Sequence, residues 1–244
     1  DIMIDGIHFL LTYQCTFKCD HCFLYCSPKA KGVFTIDKIK EVLDDSRKIP
    51  TVDNIFFEGG EPFIYYDIML EGIKYARQLG LSVGIVTNGY WAKTREKALK
   101  YLEPLKKLGI SSISLSDDAF HYGNKQDTPP KIAHDICEEL GISNGYIYIE
   151  PPNVKLDCSK SPKGKPILGG ETVFKGRAVD KLSAGLPIRN WREFTSCPHE
   201  ELKKPERIHL DPFGNIFVCQ GISIGNNNLA PFSMHACATR FVPW

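Results

Sequence analysis

Between Ile7 and Ile149 the sequence alternates short apolar runs with longer amphipathic stretches, and this alternation limits the fold more than any other feature. The runs are Ile7-His8-Phe9-Leu10-Leu11-Thr12-Tyr13, Asn54-Ile55-Phe56-Phe57, Ser82-Val83-Gly84-Ile85-Val86, Ser112-Ile113-Ser114-Leu115 and Gly145-Tyr146-Ile147-Tyr148-Ile149. Each has the length and the β-branched or aromatic content of a strand. Helices are predicted between them at about 35–48, 64–79, 93–107 and 129–140. The first has Thr35 as N-cap and Ile36, Ile39, Val42 and Leu43 as its apolar stripe. Parallel strands need a helix-length return, so repeated strand–helix units imply a parallel sheet with right-handed crossovers. A later strand at Arg207–Leu210 brings the count to six, short of a closed eight-fold barrel. The expected class is therefore α/β, an open or partial (βα)6 barrel; a doubly wound sheet has the same periodicity. In both, functional residues collect at the C-terminal ends of the strands.

From Pro151 the texture changes. Pro151, Pro152, Pro162, Gly164, Pro166, Gly169 and Gly170 mark a long irregular loop over 151–171, of the kind that serves as a lid or binding element. A helical stretch at about 172–184 follows, then a smaller cysteine-bearing region. Residues 1–190 are expected to form the barrel and 191–244 a C-terminal extension. The chain opens on Asp1 and loses periodicity from Asn226-Asn227-Asn228 onward, so it is expected to be part of a longer reading frame. Thirty basic against twenty-nine acidic residues give no electrostatic reason to expect a nucleic-acid partner or an anionic membrane surface. No apolar run approaches the roughly 20 residues needed to span a bilayer.

Nine cysteines are too many to ignore and, in 244 residues, too few for a disulfide-stapled scaffold. Four of them, Cys15, Cys19, Cys22 and Cys26, crowd into one segment directly after the first strand. Such spacing suits a metal or cluster better than disulfides, and thiolate ligation needs a reducing compartment, so a cytoplasmic location is expected. Three thiolates at Cys15-x3-Cys19-x2-Cys22 can hold three corners of a four-iron cluster and leave one iron open to an exogenous ligand. Electron-transfer clusters normally have four cysteines. Cys26 as a fourth ligand, or a zinc ion in place of the cluster, is the plainer alternative.

With Gly59-Gly60-Glu61-Pro62 following the second strand, the sequence resembles the radical SAM superfamily over about residues 7–150, and more loosely beyond. The resemblance implies a partial (βα)6 barrel with a 4Fe-4S cluster at its mouth, held by Cys15, Cys19 and Cys22. In the family, the open iron chelates S-adenosyl-L-methionine, which is reductively cleaved to a 5′-deoxyadenosyl radical that abstracts hydrogen from a substrate. The Gly59–Pro62 loop is then expected to contact the methionine amino group, with Glu61 as acceptor. His21 takes the place of an aromatic residue whose backbone contacts the adenine. Thr87-Asn88-Gly89 ends the third strand in a feature common in the family. Ser116 at the end of the fourth strand is the preferred contact to ribose or carboxylate, with Asp117 either a second contact or a turn cap. Arg177 either pairs with the cofactor carboxylate or is a solvated surface residue.

Near the C-terminus, His209-Leu210-Asp211-Pro212-Phe213-Gly214-Asn215-Ile216-Phe217-Val218-Cys219 reads as a β-hairpin. It is similar to the start of a SPASM or twitch extension, which implies an auxiliary iron–sulfur cluster with Cys197, Cys219 and Cys237 as candidate ligands. Cysteines packing as small hydrophobes are the equal alternative, and that is the reading for Cys26, Cys137 and Cys158. Many relatives with this hairpin modify peptides or proteins, so a peptide-modifying enzyme served by flavodoxin or ferredoxin is expected. Small-molecule radical chemistry, and a non-catalytic iron–sulfur electron carrier, stay open beside it. His121, Tyr148 and Glu150 are the candidate catalytic residues, placed only by lying beyond strand ends, with Tyr146 as a further pocket candidate.

Overall fold

A computed structural model describes residues 4–159, 162–193, 195–197, 204–219 and 222–228. The alternating pattern becomes β1 (Gly6–Thr12), α1 (Ile36–Ser46), β2 (Asn54–Gly59), α2 (Tyr66–Gln78), β3 (Ser82–Thr87), α3 (Arg95–Lys107), β4 (Ser112–Ser116), a single turn α4 (Ala119–Tyr122), α5 (Pro129–Leu140) and β5 (Asn144–Ile147). Thr35 caps α1 as expected, its side chain accepting from Lys38 N. Beyond β5 come β6 (Asn153–Asp157), β7 (Lys165–Gly169), α6 (Arg177–Leu182), β8 (Arg207–Leu210), β9 (Asn215–Cys219) and β10 (Ile222–Asn226).

The main sheet runs β10-β9-β8-β1-β2-β3-β4-β5. Its six strands from β8 to β5 are parallel, and β8, β9 and β10 turn back on one another antiparallel. The later strand foreseen at Arg207–Leu210 is thus the sixth parallel strand, but it joins the β1 side, with Ile7 opposite Ile208 and His8 opposite His209. Strand alternation sorts the faces. Ile7, Phe9, Leu11, Ile55, Phe57, Val83, Ile85, Ile113 and Leu115 are buried in one core with Ile39, Leu43, Met69, Ile73, Leu102 and Ile136 of the helices. Residues of the other parity, among them His8, Glu58, Val86 and Ser116, occupy the opposite, concave face.

Two expectations need amending. The segment 151–171 is not wholly irregular, because β6 and β7 pair in a separate antiparallel hairpin with Val154, Leu156, Ile167 and Leu168 exposed. With no face buried, its residues carry no apolar alternation to read. The helix expected at 172–184 is shortened to α6, because Gly176 has φ 54 and cannot continue a right-handed helix toward the N-terminus.

Candidate active site

The loop after β1 is built by backbone before any side chain acts. Cys15 N donates to Ser27 O at 3.0 Å and Cys22 N to Cys19 O at 3.2 Å, which turns the cysteine segment back on itself. The loop after β2 then locks onto it: Gly60 N donates to Thr12 O at 2.7 Å and Glu61 N to Gln14 O at 2.9 Å. This contact explains the paired glycines. Gly59 has φ 121, and a Cβ on Gly60 would lie 2.1 Å from Gln14 O. The close approach is thus to the cysteine loop's own backbone.

Glu61 is fully buried, and its carboxylate accepts from Phe63 N (3.0 Å), Thr87 Oγ1 (2.8 Å) and Asn88 N (2.8 Å). Burial pushes its carboxyl up to about 7, against the pull of those three donors. Pro62 is buried at the start of a 3-10 turn that Glu61 caps. Thr87, also buried, accepts from Trp91 Nε1 at 3.1 Å. Asn88 reaches the cysteine loop directly, its Nδ2 lying 3.1 Å from Thr16 Oγ1 and 3.6 Å from Cys15 Sγ.

Arg177 is buried, with Nη1 donating to Cys19 O and Nη2 to Cys26 O, both at 2.7 Å, while its backbone N donates to Cys22 O at 2.9 Å. It is not a solvated surface residue; it clasps the cysteine loop from the segment before β8. Lys175, two residues earlier, places Nζ 2.5 Å from Cys219 Sγ at the end of β9.

These elements surround a cavity of about 280 Å³. Cys15, Cys19, Cys22, Cys26, His21, Gly59, Gly60, Thr87, Asn88, Ser116 and His121 line it together with Phe17, Glu58, Val86, Asp118, Ile147, Ile149 and Val173. All the described cysteines are free thiols. Burial pushes Cys15 up to about 11 and Cys19 up to about 12. A hydrogen bond shared by Cys22 and Cys26 holds the Cys22 thiol below its ordinary range and Cys26 above it. Among the described residues, the donor groups that converge within 4.8 Å of one another do not include these thiols. Three soft ligands set wider than the shell of one ion, around an apolar cavity, fit a multi-iron cluster better than a single zinc.

Asp118, the neighbour of the expected Asp117, lines the cavity. It accepts from Phe120 N (3.0 Å) and His121 N (3.2 Å), and its Oδ1 lies 2.8 Å from His121 Nδ1. Sequence offered one signal for it, an Asp immediately ahead of the short helical turn that it caps. His21 packs against Phe120 at 4.4 Å between ring centroids, and burial lowers its pKa to about 4. On the β5 side Ile147 and Ile149 line the cavity, whereas Tyr146 and Tyr148 are exposed and Tyr146 stacks on His134. Glu150 is exposed and uses its backbone carbonyl to accept from Thr172 Oγ1 at 3.0 Å. Cys219 is buried and Cys197 half-buried; neither joins a converging donor group among the described residues, and Cys237 lies outside them. No helix among the described residues is long and apolar enough to cross a membrane.

Known proteins are similar to this chain over part of its length. YydG of Bacillus subtilis (strain 168), named for peptide biosynthesis, is 26% identical over 111 residues, which are 46% of this chain and 35% of that protein. An S-adenosylmethionine-dependent nucleotide dehydratase of Fibrobacter sp. (strain UWH6) is 28% identical over 123 residues, 48% of this chain and 34% of that one. The chain thus spans about a third of the length of either relative. Streptococcus suis SuiB, solved bound to S-adenosylmethionine, superposes with a TM-score of 0.51 at 13% identity, over 99% of this chain and 67% of its own, and shares the fold. Residues 9–144, more than half of the chain and the span that holds the cysteine loop and its Gly-Gly-Glu-Pro partner, match the superfamily's sequence pattern: the chain belongs to the radical SAM superfamily.

Proposed function

We propose that this chain is the radical-generating core of an enzyme that modifies a peptide or protein substrate. The observation that carries the reading is the set of three free thiols, Cys15, Cys19 and Cys22, around one cavity with the Gly59–Gly60 loop and Asn88. Cys15, Cys19 and Cys22 would hold a 4Fe-4S cluster by three irons, and the donor and acceptor groups of Asn88, Ser116 and Asp118 would face bound S-adenosylmethionine. When bound, this cofactor pair supplies one-electron cleavage of the sulfonium to a 5′-deoxyadenosyl radical that takes hydrogen from the substrate.

The chain's own residues position and shield. Arg177 fixes the cysteine loop through two carbonyls, and Asn88 Nδ2 directs a polar hydrogen at Cys15 Sγ, which favours its thiolate. Phe17, Val86, Ile147, Ile149 and Val173 give the cavity apolar walls that exclude water. A peptide substrate is supported by the likeness to YydG, and a cytoplasmic setting with flavodoxin or ferredoxin as reductant belongs to the same reading. A nucleotide or other small substrate is the second reading, favoured by the likeness to the nucleotide dehydratase.

Anaerobically reconstituted protein reduced with dithionite should release methionine and 5′-deoxyadenosine from S-adenosylmethionine. Cys19→Ala should abolish that release, because two thiolates cannot hold the cluster in its open form. Cleavage by the variant at the wild-type rate would remove the cluster assignment, and no cleavage by cluster-loaded wild type would favour a plain electron carrier. A mass change in small peptides encoded beside the gene supports the first substrate class; turnover of nucleoside triphosphates alone supports the second.

A further inference from the structure

On the concave face, β1, β2 and β8 bring together a group that the radical chemistry does not use. His8, Glu58 and His209 each offer one ligand atom, and these atoms lie within 4.8 Å of one another. Glu58 Oε1 is 3.4 Å from His8 Nδ1 and 3.2 Å from His209 Nε2. Register makes the meeting obligatory: His8 stands opposite His209, and Glu58 opposite Leu10, one same-face position further along. The rings are fixed as well. His8 stacks on Phe56 at 4.7 Å and meets His209 edge-on at 4.8 Å between centroids.

The chemistry of the group is unfinished. Glu58 Oε1 and His8 Nδ1 are buried, and although they are close neither makes a hydrogen bond of normal geometry. Groups meant to bond one another would be aligned; lone pairs that converge without bonding suit a shared cation. Separations of 3.2 and 3.4 Å are those of neighbouring ligands around an ion with bonds of about 2.0–2.2 Å. A carboxylate oxygen buried without a hydrogen bond needs a positive partner. Glu58 also lines the cavity of the cysteine loop, which gives a bound ion one open side.

We infer that His8, Glu58 and His209 form a mononuclear divalent-metal site on the concave face, with an N2O ligand set of the class that takes zinc or a similar first-row ion and a free position turned to the cavity. The site stands apart from the iron–sulfur reading, since it uses none of the thiols.

The test uses cluster-reconstituted protein equilibrated with Zn2+, with zinc and iron counted separately by mass spectrometry. One tightly held zinc per chain is expected in addition to iron. Glu58→Gln should weaken it at least about tenfold, the lower end of what outer-shell changes alone cost, with iron content unchanged. His134→Ala, which alters a half-buried ring stacked on Tyr146 away from the group, should bind as the wild type does. X-ray absorption at the zinc edge of the wild type reads the ligands without any variant, and two imidazoles with an oxygen donor are expected. Absence of a zinc equivalent, unchanged affinity in Glu58→Gln, or a sulfur-only zinc shell would each overturn the site. Iron content and S-adenosylmethionine cleavage report separately on the cluster, so failure of one reading is distinguishable from failure of the other.

Discussion

A buried arginine that spends its guanidinium on two backbone carbonyls is a structural clamp, and Arg177 holds the loop that carries the thiols. The clamp depends on a fork. A guanidinium donates in two fixed directions at once, whereas an ammonium is a point donor on a flexible stem. Hydrogen bonds to a charged group contribute about 1.5–3 kcal/mol each, and the carbonyls of Cys19 and Cys26 would be left without these donors. Arg177→Met should therefore lower stability by about 3 kcal/mol in urea unfolding and reduce iron retained after desalting. Arg177→Lys should recover part of the stability but less of the iron. Equal iron retention in all three proteins would show that the loop holds its shape without the clamp. The cysteine spacing and the Gly-Gly-Glu-Pro loop were legible in the sequence because each is a local signal. The partner of Arg177 was not, since backbone carbonyls have no sequence identity. Nor was the pairing of His8 with His209, which only the strand order of a folded sheet brings together.

At the scale of elements, the site is a contact between two strand-end loops, and glycine makes the contact possible. A Cβ on Gly60 would meet the backbone oxygen of Gln14 at 2.1 Å, and a backbone atom cannot swing aside as a side chain can. Gly60→Ala must push the two loops apart, so it should cost about 1–3 kcal/mol and lower cluster loading together with stability. Gly145→Ala is the matched control, because a Cβ there meets open space. If both variants unfold at the wild-type midpoint and bind iron alike, the packing contact does not hold the loops. The elements themselves were largely readable. Helices foreseen at 35–48, 64–79, 93–107 and 129–140 appear as α1, α2, α3 and α5, since one buried face imposes a helical period on each. Tyr146-Ile147-Tyr148-Ile149 shows where such reading stops. Both parities are apolar, so alternation alone cannot say which pair faces the cavity, and the packing turned the isoleucines inward.

At the scale of the whole molecule, the chain leaves β5 at one edge of the sheet and must reach β8 at the other side of β1. The connection passes the mouth of the half-barrel, which is why Val173 lines the cavity and Arg177 meets the cysteine loop. Gly176 packs so closely that a Cβ on it would lie 2.4 Å from Phe23 O. The far end is anchored by β8, whose Ile208 and Leu210 are fully buried, and the near strap is tied to β9 through Lys175 and Cys219. The hairpin of β8 and β9 is thus part of the sheet that carries the site, and perturbing it should reach the thiols. Leu210→Ala is expected to cost about 2–5 kcal/mol, in one cooperative transition followed alike by circular dichroism and by the iron–sulfur absorbance. Leu168→Ala, on the exposed β6–β7 hairpin outside the main sheet, should stay within about 0.5 kcal/mol of wild type. An independently folded C-terminal unit would instead give two transitions for Leu210→Ala, with the iron–sulfur absorbance lost only in the second.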